Sequence, residues 1–250
     1  MRIGFLGYGK IGKAVAAHVI ERGDEVAFVQ DPFVTEAGGA PVVAEADEAL
    51  LAGTDLVVEC AMASALKANF DAIIAHSDIL CFSLTAFADE AFLAHAKQAA
   101  QDHGHAIYVP HGAILGLDGI ADGSSIIESV SITTTKSPKS LGLDPAKFHE
   151  PAVVFSGTTR EACAAFPRNV NVHAAVALAG IGFDQTRSRI VADPSVSTNA
   201  HVISVKGEGI EFCLRISSFT TGGVTGVYTP LSACGSVDRV LGGTAGIAFV

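Results

Sequence analysis

From Met1 to about Val109 the chain alternates short apolar or β-branched runs with stretches whose apolar positions recur at helical spacing. The runs are "RIGFLG", "EVAFVQ", "DLVVEC", "DILCFS" and "AIYVP"; the helical stretches are Lys10 to Glu21, Ser64 to Ala75 and Asp89 to His103. Strand followed by helix followed by strand predicts a parallel sheet wrapped by helices. After Gly112 the pattern changes. "SVSITTTK", "AVVFSG", "TRSRIVAD", "HVISVKG" and "IEFCLRISS" read as strands separated by turns, with one helical block at about Thr159 to Gly180. "HVISVK", the turn residues "GEG" and "IEFCLRI" predict a hairpin, because Ile210, Phe212, Leu214 and Ile216 alternate with Glu211, Cys213 and Arg215. In the tail, Leu231, Cys234, Val237 and Leu241 fall on one helical side, suited to packing back on the first lobe.

Composition narrows the picture. Of 250 residues, 49% are hydrophobic and 17% charged, which suits a folded enzyme of one large core or two modest ones. A formal net charge of −10 with no basic run argues against nucleic acid and against anionic membrane surfaces as partners. The 5 cysteines (Cys60, Cys81, Cys163, Cys213, Cys234) show no CxxC spacing and sit mostly in apolar runs, so they are expected as reduced, buried thiols. The N-terminus enters a strand at once, without the basic and apolar regions of a signal peptide, and the expected compartment is the cytoplasm.

In "GFLGYGKIGKA", Gly7, Gly9 and Gly12 form G-x-G-x-x-G between an apolar strand and a helix that starts at Lys10 and Ile11. Gly7 would permit a tight turn, Gly9 a close backbone approach to a pyrophosphate, and Gly12 close packing of helix on strand. The phosphates would meet the free N–H groups of the helix start. Asp31 follows the second strand, near the spacing of the acid that binds an adenosine ribose. A carboxylate there repels a 2′-phosphate and no arginine follows in "DPFVTE", so NAD is predicted over NADP, with NADP possible. The predicted fold is therefore α/β. A Rossmann-type domain over 1–111 precedes a second α+β substrate domain over 112–228, built on a largely antiparallel sheet. A tail helix over about 229–250 packs back on the first domain.

The stretch "STNAHVISVKG" places Asn199 and His201 on one strand face. Ile203 and Val205 share that face, so the pattern alone leaves His201 readable either as a satisfied core residue or as a positioned functional one. In "FPRNVNVHAAVALAG" a helix is entered after Pro167, with Asn169 as candidate N-cap and Asn171 in the first turn.

The chain resembles the L-aspartate dehydrogenases through the opening glycine motif, "DLVVECA", "SLTAFAD", "GAILGLD", "TTTKSP", "FPRNVNV", "GIGFDQTRSRIVADP" and "NAH". The resemblance implies a two-domain enzyme, commonly a homodimer, in which NAD(P) exchanges hydride with the α-carbon of aspartate. It matches His201 to the catalytic histidine, and Ala113 and Asn171 to positions that contact the cofactor; Ala61 joins the same expected set. A histidine of ordinary pKa near ~6.5 suits the proton transfers of amine oxidation. A dicarboxylate substrate needs cations, for which Lys136 and Arg168 are the candidates, with Asn199, His173 and His111 as further substrate-side polar groups.

Departures from the family pattern cluster in the same segments: His111 opens "HGAILGLD", Val202 follows His201, Thr85 replaces a glycine, His173 replaces a small apolar residue, and "TGGVTGVYTP" precedes the last helix. They leave room for another 2-oxo or imino acid substrate, or for an NAD-binding sensor without turnover. No metal is expected, because the histidine spacings fit no ligand pattern.

Overall fold

A computed structural model of the chain describes residues 1–219 and 226–242. The chain divides into two compact units: Met1–Ala86, Glu90–Pro110 and Pro230–Val250 form one, and Phe87–Asp89 with His111–Thr229 form the other.

Unit 1 begins with β1 (Arg2–Leu6), α1 (Lys10–Glu21), β2 (Glu25–Gln30), β3 (Val42–Val43), α2 (Glu48–Ala52), β4 (Leu56–Glu59), α3 (Ala63–Ile74), β5 (Asp78–Cys81), α4 (Glu90–His103) and β6 (Ile107–Tyr108). The strands form one six-stranded parallel sheet in the order β3-β2-β1-β4-β5-β6. This is the doubly wound arrangement, with its crevice beside β1 at the carboxyl ends of the strands. Strands in such a sheet are covered on both faces and read as unbroken apolar runs. Accordingly Ile3, Phe5, Leu6, Val26, Phe28, Val29, Leu56, Val57 and Val58 are all buried. Each such side chain contributes about 1.5–3 kcal/mol relative to exposure.

Unit 2 contains α5 (Leu117–Asp122), β7 (Ile127–Lys136), β8 (Ala152–Thr158), α6 (Thr159–Ala165), α7 (Asn171–Ala179), β9 (Arg187–Ala192), β10 (Thr198–Gly207) and β11 (Ile210–Phe219). The sheet order is β11-β10-β7-β9-β8. Three of its pairings are antiparallel, as the strand-and-turn pattern implies, but β7 and β9 run parallel and make the sheet mixed. The crossover between those two strands carries β8, α6 and α7. Helices α6 and α7 pack on one sheet face, with α5 against α7.

The helical block expected over 159–180 is two helices. Helix α6 is fixed by a capping box in which the Thr158 side chain accepts from the Glu161 backbone while Glu161 accepts from the Thr158 backbone, and it stops at Phe166. Helix α7 restarts at Asn171 with Val170 at the N-cap and no side-chain cap bond, so Asn169 does not cap it. Its His173, Ala174, Ala175, Val176 and Ala177 are all buried. Small residues let a helix sit this close on all sides.

The chain closes with α8 (Tyr228–Leu241), whose Ala233 and Val237 enter the unit 1 core beside Phe5, Val15 and Val19. Asp238 pins it to α1, at 2.8 Å from His18 Nε2 and 2.5 Å from Arg22 Nη1. The part of the expected tail helix over 243–250 lies outside the described residues. All the cysteines are free; Cys81 and Cys163 are buried, Cys60 and Cys234 half-buried, and Cys213, expected inside, is exposed on β11. It occupies the solvent side of the hairpin's alternation. Among the described residues no helix is long and apolar enough to cross a membrane.

Candidate active site

In unit 1 the glycine loop is shaped by what its residues lack. Gly7 has φ +93°, and a Cβ there would lie 2.8 Å from the Ala61 backbone. A Cβ on Gly12 would lie 2.6 Å from the Gly7 carbonyl oxygen and 3.0 Å from Cys60 Sγ. Gly9 differs: it is exposed, and a Cβ on it meets nothing within 4 Å. It is the extended N-cap residue of α1, with no side-chain cap bond. A bare helix start beneath open space is what a pyrophosphate needs, so the residues fit a dinucleotide. Beside it, Lys10 is exposed and Ile11 half-buried.

Asp31 adds a second function to the one its spacing suggests. Its Oδ2 accepts from the Tyr8 backbone N–H at 2.7 Å and its Oδ1 from that of Phe33 at 2.9 Å. The carboxylate thus ties the glycine loop to the end of β2, and its oxygens retain lone pairs for further donors.

Glu59 was not singled out by the sequence reading, although it closes the apolar run "LVVE". Its side chain is fully buried and accepts from the Ala61 N–H (2.9 Å), the Ser83 N–H (2.9 Å) and the Ser83 hydroxyl (2.7 Å). Burial pushes its carboxyl up and these hydrogen bonds pull it back. The result holds Ala61, itself exposed, against Gly7.

Two substitutions separate the roles of these glycines. Gly12→Ala is expected to destabilise the protein by roughly 1–3 kcal/mol through overpacking and to weaken NADH binding. Gly9→Ala is expected to leave the melting temperature unchanged and still weaken NADH binding, because the added methyl occupies only the open approach. Thermal melts paired with NADH fluorescence titrations read both, and a Gly9→Ala protein with full NADH affinity contradicts the cradle.

In unit 2 the buried face of the sheet carries polar as well as apolar side chains. Val130, Ile132, Thr134 and Lys136 of β7 lie inside, as do Asn199, His201, Ile203 and Val205 of β10 and Ser188, Ile190 and Ala192 of β9. One end of this face is aliphatic and the other polar. His201 stands directly opposite Thr134 across the β7–β10 pairing. From His201 a hydrogen-bonded row crosses the sheet: His201 Nδ1 to Thr134 Oγ1 (2.8 Å), Thr134 Oγ1 to His173 Nε2 (2.7 Å), and His173 Nδ1 to Ser188 Oγ (2.8 Å). Ser188 Oγ then meets Thr159 Oγ1 at 2.8 Å, and the Thr159 hydroxyl donates to the Thr186 carbonyl at 3.2 Å.

The relative exposures are 2% for His201, 0% for His173, 1% for Thr134 and 0% for Thr159. An unsatisfied polar atom at this depth costs ~1–3 kcal/mol, and the row removes that cost. His201 is therefore neither in purely apolar packing nor exposed. Among the described residues its Nε2 has no hydrogen-bond partner.

His173, expected among the substrate-side groups, instead has both ring nitrogens bonded inside the protein, to Thr134 Oγ1 and Ser188 Oγ. Burial pushes its imidazole well below the usual value, with the His201 and Lys136 charges adding to the effect. Burial and the Lys136 cation push His201 down to about 3.

Lys136, two residues beyond Thr134 on the same face, is 4% exposed and burial lowers it to about 8. Its Nζ donates to the Asn169 carbonyl at 3.3 Å, and among the described residues it has no carboxylate partner. Among the described residues Asn169 Oδ1 is a buried acceptor without a hydrogen-bond partner. Asn199 is 5% exposed, Asn171, Ala113 and His111 are half-buried, and Arg168 is exposed.

These two constructions match known proteins over nearly the whole chain. Residues 7–110 match the family model described as "Homoserine dehydrogenase, NAD binding domain", and 118–240 that described as "Aspartate dehydrogenase, C-terminal". The L-aspartate dehydrogenase of Methanosarcina mazei is 33% identical, over 96% of this chain and 97% of that protein. The chain belongs to the L-aspartate dehydrogenase family. The family member of Methanococcoides burtonii is 37% identical over 74% of this chain and 73% of its own. The solved structure of aspartate dehydrogenase from Thermotoga maritima superposes with a TM-score of 0.80 at 29% identity, over 96% of this chain and 95% of that one.

Of the residues the sequence pointed to, Asn199, His201 and Lys136 share one sheet face, and His173 of α7 is bonded to Thr134 of that face. Sequence reasoning missed Thr134, Ser188 and Thr159. Thr134 shares the face of Ile132 on β7, a signal that a polar side chain points inward, but nothing local says toward what.

Proposed function

We propose that this chain is an NAD-dependent L-aspartate dehydrogenase, with unit 1 holding the dinucleotide and unit 2 serving as the substrate, catalytic and dimerisation domain. The observation that carries the reading is that His201 commits Nδ1 to Thr134 and leaves Nε2 without a partner among the described residues. When bound, the dinucleotide supplies the acceptor for the α-carbon hydride.

The rest of the chemistry is proton handling. The substrate ammonium must lose a proton before hydride departs, and His201 Nε2 takes it and passes it to solvent. Water adding to the iminium carbon then gives His201 a second proton, which returns to the departing amine to yield oxaloacetate and ammonium. The imidazole is neutral at working pH, as a base must be, but burial and the Lys136 cation hold it at about 3, not at the ordinary ~6.5 expected from sequence; a substrate carboxylate that pairs with Lys136 brings it back toward the range that suits proton transfer. Lys136, with one acceptor among the described residues for its three N–H groups, takes a substrate carboxylate, assisted by Asn199, and Asn169 Oδ1 accepts from the ammonium.

Asp31 supports NAD over NADP, since its carboxylate accepts from ribose hydroxyls and repels a 2′-phosphate. By the same family resemblance we read the enzyme as a cytoplasmic homodimer, which light scattering tests. The deciding assay follows NADH consumption with ammonia and a panel of 2-oxo acids. Ammonia-dependent turnover fastest with oxaloacetate is expected; turnover without ammonia, or NADH binding without any turnover, defeats the reading, and a preference for NADPH defeats its cofactor half.

Lys136 gives the assay a pH signature. It is cationic below about 8 and neutral above, so KM for aspartate is expected to climb as pH rises past that value. His201 and His173, the other titratable groups coupled to it, are neutral throughout this range. Lys136→Met should raise KM about 10- to 100-fold, the worth of one charge-assisted hydrogen bond, and abolish the climb. A variant with wild-type KM removes Lys136 from the substrate.

A further inference from the structure

We infer that the buried row from Thr186 to His201 is a tautomer lock that holds His201 with its proton on Nδ1 and a lone pair on Nε2, and that Thr134, His173, Ser188 and Thr159 are positioning residues for the base. The inference deepens the proposed function and rests on it for its catalytic meaning.

The direction of every bond in the row follows from its far end. The Thr186 carbonyl can only accept, so the single Thr159 hydroxyl proton is spent on it. Thr159 Oγ1 must then accept from the Ser188 hydroxyl. Ser188, its one proton used, must accept from His173 Nδ1–H. A neutral His173 protonated on Nδ1 presents a lone pair on Nε2, which the Thr134 hydroxyl fills. Thr134 in turn accepts from His201 Nδ1–H. Each of the four interior groups has one proton and two partners in the row, so the order cannot reverse at one link without reversing at all of them.

Neutrality of His173 is essential, because a doubly protonated ring would donate both ways and uncouple the ends. Its complete burial maintains that state. The row is not a proton wire, since a carbonyl oxygen at its end cannot take up a proton. What it does is keep Nε2 unprotonated and aim the ring. His173 and Ser188 thus have a task that leaves neither in contact with substrate.

The test reads the tautomer directly and without turnover. In full-length protein carrying 15N-labelled histidine, ring resonances are assigned by their loss in His201→Asn and His173→Asn. His201 and His173 should both show a protonated Nδ1 and an unprotonated Nε2; Nε2–H on His201 overturns the inference. Thr159→Val removes the terminal donor and frees the Ser188 hydroxyl to donate to His173 Nδ1. That reverses the row and should move the His201 tautomer ratio roughly 5-fold toward Nε2–H, the worth of one net hydrogen bond, with kcat falling and KM unchanged.

Ser188→Ala, which cuts the row one step nearer, should erode the same preference if Thr159→Val does not fold. Ratios unchanged in the variant that folds refute the lock. A correct tautomer without aspartate turnover refutes only the proposed function, and turnover with the opposite tautomer refutes only the lock.

Discussion

Replacing His201 with alanine is expected to lower kcat by ~10²–10⁴ while NADH affinity stays within about 2-fold. The two expectations are separable because the residues that fit the dinucleotide, Gly9 and Asp31 above all, belong to unit 1 and the imidazole to unit 2. Nε2 is the ring atom without a partner among the described residues, so no second hydrogen bond is lost with it. Alanine also leaves Thr134 Oγ1 without the donor on its β10 side and opens a cavity in a packed face, so stability falls along with rate. His201→Asn restores part of the volume and the Nδ1-side hydrogen bond without an ionisable lone pair. It should recover the melting temperature and not the rate, and added imidazole should partly rescue His201→Ala alone. Wild-type turnover in either folded variant ends the assignment of His201 as acid/base.

How much of this was legible beforehand depends on the range of the interaction involved. The strands of unit 1 announce themselves because each is an apolar run buried on both faces, and the glycine motif because its geometry is local to a single turn. Short elements carry too few residues for a period: β3 has two and α2 five. The break between α6 and α7 was half legible: Pro167 marks a new helix entry inside the block, but the start falls at Asn171 with Val170 at the N-cap, because no side chain from Phe166 to Val170 caps it. The parallel pairing of β7 with β9 could not be read at all, since strand direction is decided by a crossover and not by alternation.

The candidate site divides along the same line. His201 and Asn199 share a face by simple i, i+2 spacing, and His173 was visible as a departure from the family pattern, where a small apolar residue is expected. Thr134, Ser188 and Thr159 are common β-strand and helix-start residues. Only the register of β10 on β7 and the seating of α7 on that face turn them into a row. Glu59 shows the intermediate case: a carboxylate ending an apolar run is a visible oddity, but its acceptor role depends on Ser83 from the next strand's end.

Acid should unfold this protein earlier than its composition suggests. Both row histidines are held neutral by burial, His201 at about 3 and His173 well below its usual value, whereas in the unfolded chain each titrates near ~6.5. The unfolded state therefore binds more protons below that pH, and stability falls as pH drops from about 6.5 toward the folded values. Each histidine contributes a slope of up to ~1.4 kcal/mol per pH unit, so two units of acidification approach the ~5–15 kcal/mol that holds a typical domain together. Glu59 works in the opposite sense: its folded value is raised, so it contributes most below its unfolded value and offsets part of the loss. Urea denaturation between pH 7 and 5 should show the steep decline, and His173→Leu should remove about half of it even though it also breaks the row. A decline equally steep in His173→Leu would mean that other groups govern acid unfolding and that the buried imidazoles are not the sensitive element.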